Sequence, residues 1–239
     1  MRVELARLLR TPMYWVILSV GLLTRGAMAW QDKRWREEQF WELAADFWNH
    51  FGSVTMGFLV LVVLIRLFSL DRETGTAPVI QSTVKGRREL FFRRLTAGTA
   101  SAFLGTSILV AGNAILSVLF SPKQPLPAGL GQALLSPALT AAVGVVGYFL
   151  FSACVCDLLQ NQSAAMCVCG VPYGISYFIN VSAISRFAPF WLFRYGFFTE
   201  LARGRTLTDL PGFWLAWYVV LLSGGFWLSL VKRKERKAL

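Results

Sequence analysis

The chain has 239 residues, of which 55% are apolar and only 15% charged, with 19 Phe, 9 Trp and a mean hydropathy of +0.52. An ordinary soluble domain carries about a quarter charged residues, so this composition excludes a disordered chain and argues against a soluble globular one. The formal net charge of +11 sits on residues that flank apolar blocks and form no separate domain, which argues against a nucleic-acid partner.

In chain order, Met1–Thr11 comes first. It sets Val3, Leu5, Ala6, Leu8 and Leu9 among Arg2, Arg7 and Arg10, which reads as a short amphipathic N-terminal helix for the cytoplasmic headgroup layer or, equally well, as a basic topogenic end. Pro12 closes it. Six apolar blocks follow: Met13–Trp30, Trp48–Phe68, Leu95–Phe120, Ala133–Cys156, Ala164–Ile184 and Gly212–Val231. Each has the roughly 20 residues that an α-helix needs to cross a bilayer core about 30 Å thick. The first block is too long for a signal h-region, so no cleavable signal is expected. Backbone groups at membrane depth must bond internally, and the alternating ten-residue pattern of a β-barrel is missing. The expected fold is therefore all-α, a single membrane domain over residues 1–239 with six transmembrane helices.

Between the blocks lie a charged segment at Gln31–Phe47, a basic one at Ser69–Arg94, a Pro-rich one at Ser121–Gln132 and a short one at Asp157–Ser163. With six spans, both termini share a side with Ser69–Arg94, and that side carries 14 Lys and Arg against 8 on the other. The positive-inside bias puts both termini in the cytoplasm.

Catalytic groups are scarce. His50 is the sole histidine, so a histidine metal cluster is impossible, and beside Trp48 and Asn49 it reads as an interfacial residue. No P-loop pattern occurs, and Gly174–Phe178 lacks the second glycine of a nucleophile elbow. The chain is expected to have no catalytic site. Cys154/Cys156 and Cys167/Cys169 form two C-V-C pairs. They suggest either a thiolate site for a soft metal or small packing residues, and the wide angle between i and i+2 on a helix favours packing unless thiols meet across helices. Arg25 and Arg66 lie inside spans and are expected to snorkel to the interfaces. Asn113 and Asn180, in mid-span, are candidates for lining a substrate route or for helix–helix hydrogen bonding. Small residues at Gly98/Ala102, Ser101/Gly105 and Ser136/Thr140/Gly144 mark close helix contacts, and Pro172 predicts a kink in the fifth span.

The most informative stretch is the loop Ser69–Arg94. Asp71–Glu73 supplies a charged helix end, and Gly75 allows a sharp turn. Thr76–Thr83 is expected to form a short helix lying on the membrane, with Pro78 in its first turn. Gly86 should break that helix, and Arg87–Arg94 should form a basic elbow into the third span. Such a transverse helix is a docking surface for a cytosolic partner.

The D-R-E-x-G-T run at Asp71–Thr76, followed by S-T-x-x-G-R-x-x-L-F-F-R-R from Ser82 to Arg94, resembles the permeases of type-2 ABC exporters. The resemblance covers the whole chain in topology and Asp71–Arg94 in motif. It implies a six-helix subunit that pairs with a second permease copy, identical or homologous, and with two separate ATPase subunits that carry ATP and Mg. No cofactor is then expected in this chain. It also implies that Asp71, Arg72, Glu73, Gly75, Thr76, Ser82, Thr83, Gly86, Arg87 and Arg88 transmit the ATPase stroke. The aromatic-basic segment Ser185–Pro211 and the amphipathic Trp30–Phe47 would lie on the outer face and guard the exit of an amphipathic peptide, drug-like molecule or lipid. The expected location is the lipid bilayer of a bacterial plasma membrane. Two other readings stand beside this one. The first is a non-transport sensor, immunity protein or scaffold that binds a toxic peptide. The other is an ion or metal permease using the cysteines.

Overall fold

The computed structural model describes residues 2–31, 52–68, 84–120, 130–159, 162–178 and 223–225. The described residues are all-helical: α1 (Arg2–Leu9), α2 (Pro12–Gln31), α3 (Ser53–Phe68), α4 (Val84–Phe120), α5 (Leu130–Leu159) and α6 (Gln162–Phe178), with a helical turn at 223–225. Two stretches, Glu89–Phe120 in α4 and Ala141–Leu159 in α5, are long and apolar enough to cross a membrane, and Val54–Phe68 is a shorter apolar helix.

The corner between α1 and α2 is built from local chemistry. Pro12 takes the first position of α2, where its missing N–H costs nothing, and it pushes Thr11 out of helical geometry. The Thr11 hydroxyl donates to the Arg7 carbonyl at 3.1 Å, and Trp15 Nε1 reaches back to the Leu9 carbonyl at 2.6 Å. Leu8 is buried in the bundle core, and α1 packs on α4 and α3.

Cross-helix pairs fix the directions of the next three helices. Tyr14 meets Ser101 and Arg25 meets Asn113, so residue numbers rise together and α2 runs parallel to α4. Met56 meets Thr106, and Phe68 meets Phe91, so α3 runs antiparallel to both. The two residues between α5 and α6 make those helices a tight hairpin, tied by Tyr148 Oη donating to the Cys169 carbonyl at 2.8 Å.

The helices touch without room for a methyl group. A Cβ added at Gly98 would lie 2.6 and 2.7 Å from two ring carbons of Phe149 and closer still to Cζ. At Gly112 it would lie 2.7 Å from Leu22, at Gly21 2.6 Å from Thr55, and at Gly105 3.0 Å from the Tyr14 hydroxyl and against Leu59. The small-residue pairs of the third block therefore join α4 to three neighbours at once.

The core is apolar but holds several polar groups, and large apolar side chains also face outward. Arg25, Ser101, Thr106, Asn113, Ser117 and Ser152 are buried, whereas Leu23 is 71% and Trp30 74% exposed, with Phe58, Phe103, Ile115 and Leu119 also facing outward.

Two sequence expectations are corrected. Gly86 does not break a helix: α4 starts at Val84 and runs through it to Phe120 as one 37-residue rod, about 55 Å long. Gly86 sits in the first turn, where N–H groups lack helical partners anyway, and the Glu89–Arg93 ion pair supports the next turn. The basic elbow is thus helix. Arg25 does not snorkel: it is 2% exposed, with its guanidinium turned into the bundle. Arg66 is exposed, as the sequence suggests. Pro172 lies within α6, which runs unbroken from Gln162 to Phe178.

Candidate functional site

The loop on which the resemblance rests follows α3, which ends at Phe68, and precedes α4, which starts at Val84. Asp71, Arg72, Glu73, Gly75, Thr76, Ser82 and Thr83 lie outside the described residues, as do Asn180, His50, Ser185–Pro211 and the sixth block apart from 223–225. Gly86, Arg87 and Arg88 stand in the first two turns of α4. The structure therefore gives the mounting of the loop.

That mounting is an aromatic clasp. The Phe68 ring at the end of α3 meets Phe91 edge-on at 6.2 Å, and Phe91 meets Phe92 at 5.9 Å. The Arg94 guanidinium sits 6.0 Å from the centroid of Phe68 and is itself buried, an arrangement in which the ring quadrupole stabilises the cation. Buried Leu67, Phe91 and Leu95 complete the clasp in the same core as Leu8 of α1. The end of α3 and the third turn of α4 are thereby held to one another and to the N-terminal helix.

From the clasp, α4 carries a polar seam along its length. Ser101, Gly105, Leu109, Asn113 and Ser117 recur every fourth residue on one face, and all are buried. Tyr14 Oη donates to the Ser101 carbonyl at 2.7 Å. Thr106 donates to the Ala102 carbonyl at 2.8 Å and contacts Met56 Sδ at 3.8 Å. At the far end, Arg25 Nε donates to Asn113 Oδ1 at 3.2 Å, with Asn113 only 3% exposed. Burying a guanidinium costs several kcal/mol before its hydrogen bonds are counted, so the site holds its shape through those bonds. Asn113 is thus brought into a helix–helix hydrogen bond, in which its oxygen is the acceptor for α2.

The sequence reading missed the partnership of Arg25 and Asn113. A signal was present, because each lies about two turns before the end of its helix, which puts them at one depth in parallel helices. It also missed Tyr14, Leu22 and Phe149, whose roles depend on which glycine each faces.

The four cysteines, two on α5 and two on α6, are all free thiols. Cys154 and Cys169 are buried, Cys156 is half-buried and Cys167 is exposed. Among the described residues, no three His, Cys, Asp or Glu side chains converge as a metal site. Cys154 faces the turn at 223–225, with a Cβ at Gly225 falling 3.6 Å from its own Cβ. The chain matches no protein-family model, no curated protein and no solved structure.

Proposed function

We propose that the chain is the membrane-spanning permease subunit of an ATP-driven exporter of the type-2 ABC kind. It moves an amphipathic substrate with a separate ATPase docked on residues 69–94. The observation that carries the reading is the Asp71–Arg94 sequence at the cytoplasmic entry to the longest helix. The exposed large apolar side chains and the buried polar groups along α4 support it, because a bilayer accepts an apolar exterior and polar residues in it are turned inward. In this reading all six blocks cross the membrane, both termini are cytoplasmic, and ATP and Mg are bound by the partner alone.

The mechanism follows from the mounting. Closure of two ATPase subunits pushes residues 69–83. The aromatic clasp transmits the push to α3 and α4, and the glycine contacts at 21, 98, 105 and 112 move α2 and α5 with them. The four helices shift as one body, and a cleft between two permease copies opens and closes. The test is a mild-detergent pull-down of the tagged chain from its native membranes, with mass identification of co-purifying proteins. A stoichiometric P-loop ATPase that disappears when residues 71–76 are replaced is the expected result. A clean preparation without an ATPase, repeated after cross-linking, refutes the reading.

A further inference from the structure

We propose that the end of the bundle where α1 turns into α2 binds anionic phospholipids through Arg10 and Arg66. The proposal rests on the membrane-spanning part of the reading above and not on the ATPase. In α1 to α4 every charged residue except Arg25 lies at this end, where nine Lys and Arg stand against Glu4 and Glu89. Asp157, near the end of α5, is the one other acid among the described residues. Glu4 is paired with Arg7 at 3.8 Å and Glu89 with Arg93, while Arg94 is buried against Phe68. Arg10 and Arg66 are exposed and have no carboxylate partner among the described residues.

Helix geometry sets these cations at similar depth. Phe68 meets Phe91 edge-on, and α3 runs antiparallel to α4, so Arg66 and Arg93 each lie about 3 Å inward of that contact. Arg10 comes four residues before Tyr14, which reaches the Ser101 carbonyl, and so stands within about 12 Å of Arg93 along the bundle. Long arginine side chains snorkel to one layer from such heights. Their surroundings are apolar. Along one outward stripe α1 carries Val3, Ala6, Arg7 and Arg10, with Leu8 turned into the core. Trp15 is exposed, its Nε1 tied to the Leu9 carbonyl at 2.6 Å, and Phe92 is exposed beside Arg93. Exposed cations bordered by Trp, Phe and Val suit the boundary between acyl chains and phosphates. The guanidinium fork binds phosphate oxygens in pairs, and the excess of positive charge selects anionic over zwitterionic headgroups.

The full-length chain, stripped of native lipid in neutral detergent, is given equal amounts of phosphatidylglycerol and phosphatidylcholine, and retained lipid is identified by native mass spectrometry. Phosphatidylglycerol is expected to be preferred, and Arg10→Gln combined with Arg66→Gln to weaken its retention about thirtyfold. Glu89→Gln with Arg93→Gln, which removes an ion pair at unchanged net charge, and Lys234→Gln with Arg236→Gln, which removes two charges from the tail, should both keep it. In the unsubstituted protein, where no variant has to fold, raising salt from about 0.1 to 1 M should erase the preference, because the screening length falls from about 10 to 3 Å. Equal retention of the two lipids, a preference indifferent to salt, or equal loss in the tail variant each overturns the proposal. Flotation with vesicles of either lipid reads membrane insertion separately: a chain that floats with both yet retains them equally overturns the lipid site alone, and one that floats with neither overturns the membrane reading with it.

Discussion

Gly98→Ala tests the packing on which transmission through the bundle depends. The new methyl would sit 2.6 and 2.7 Å from ring carbons of Phe149, whereas ordinary contact begins at 3.4 Å. Phe149 is fully buried, so the ring has no open space into which to turn. The α4–α5 contact must open by about 1 Å, a strain of about 1–3 kcal/mol. Alanine returns about 1 kcal/mol through its better helix propensity, which leaves a net loss of about 0–2 kcal/mol. Gly26→Ala is the matched control, because a Cβ there meets nothing within 4 Å; it is expected to be neutral or up to about 1 kcal/mol stabilising. Equilibrium unfolding in mixed micelles, followed by tryptophan fluorescence, measures both. Adding Phe149→Leu to Gly98→Ala should cost less than the two single changes predict, with a coupling of about 0.5–3 kcal/mol. Equal midpoints for Gly98→Ala and Gly26→Ala, or strict additivity with Phe149→Leu, would refute the reasoning.

Asn113→Leu removes the acceptor that Arg25 Nε uses and should destabilise the bundle by about 2–3 kcal/mol, while the double change with Arg25→Leu should cost less than Asn113→Leu alone; micellar unfolding reads both. Tyr14→Phe loses one hydrogen bond to the Ser101 carbonyl and is expected to cost about 1 kcal/mol in the same assay. Glu73→Lys or Gly75→Val should leave the amount of chain in the membrane unchanged but lower the co-purified ATPase about tenfold, equivalent to about 1.4 kcal/mol of docking energy. Undiminished ATPase recovery in both variants would remove the coupling loop from the account.

The apolar blocks were the legible part of the fold. Met13–Trp30 lies within a helix running Pro12–Gln31, and Leu95–Phe120 within one running Val84–Phe120. Hydropathy located the apolar helices, but it misplaced the start of α4. Arg93 and Arg94 lower local hydropathy without interrupting the backbone ladder, and nothing in Gly86–Arg94 opposes a helix strongly enough to stop it. The small residues of the third block marked the close contacts correctly in kind, since Gly98 and Gly105 both meet neighbouring helices. What the sequence could not specify was the partner of each side chain. Arg25 was assigned to an interface because a lone guanidinium at that depth prefers water, and only the parallel packing of α2 on α4 brings it an internal acceptor.

The same pairing has a consequence during synthesis. Asn113 follows Arg25 by 88 residues, and at about 5–20 residues per second it leaves the ribosome roughly 4–18 s later. In the membrane reading proposed above, α2 then waits in the bilayer without its acceptor, and the headgroup layer is the relief open to its cation. In that reading an outward-turned Arg25 belongs to the nascent chain, and the arrival of α4 draws the side chain inward. The bilayer holds the place of α4 until translation supplies it.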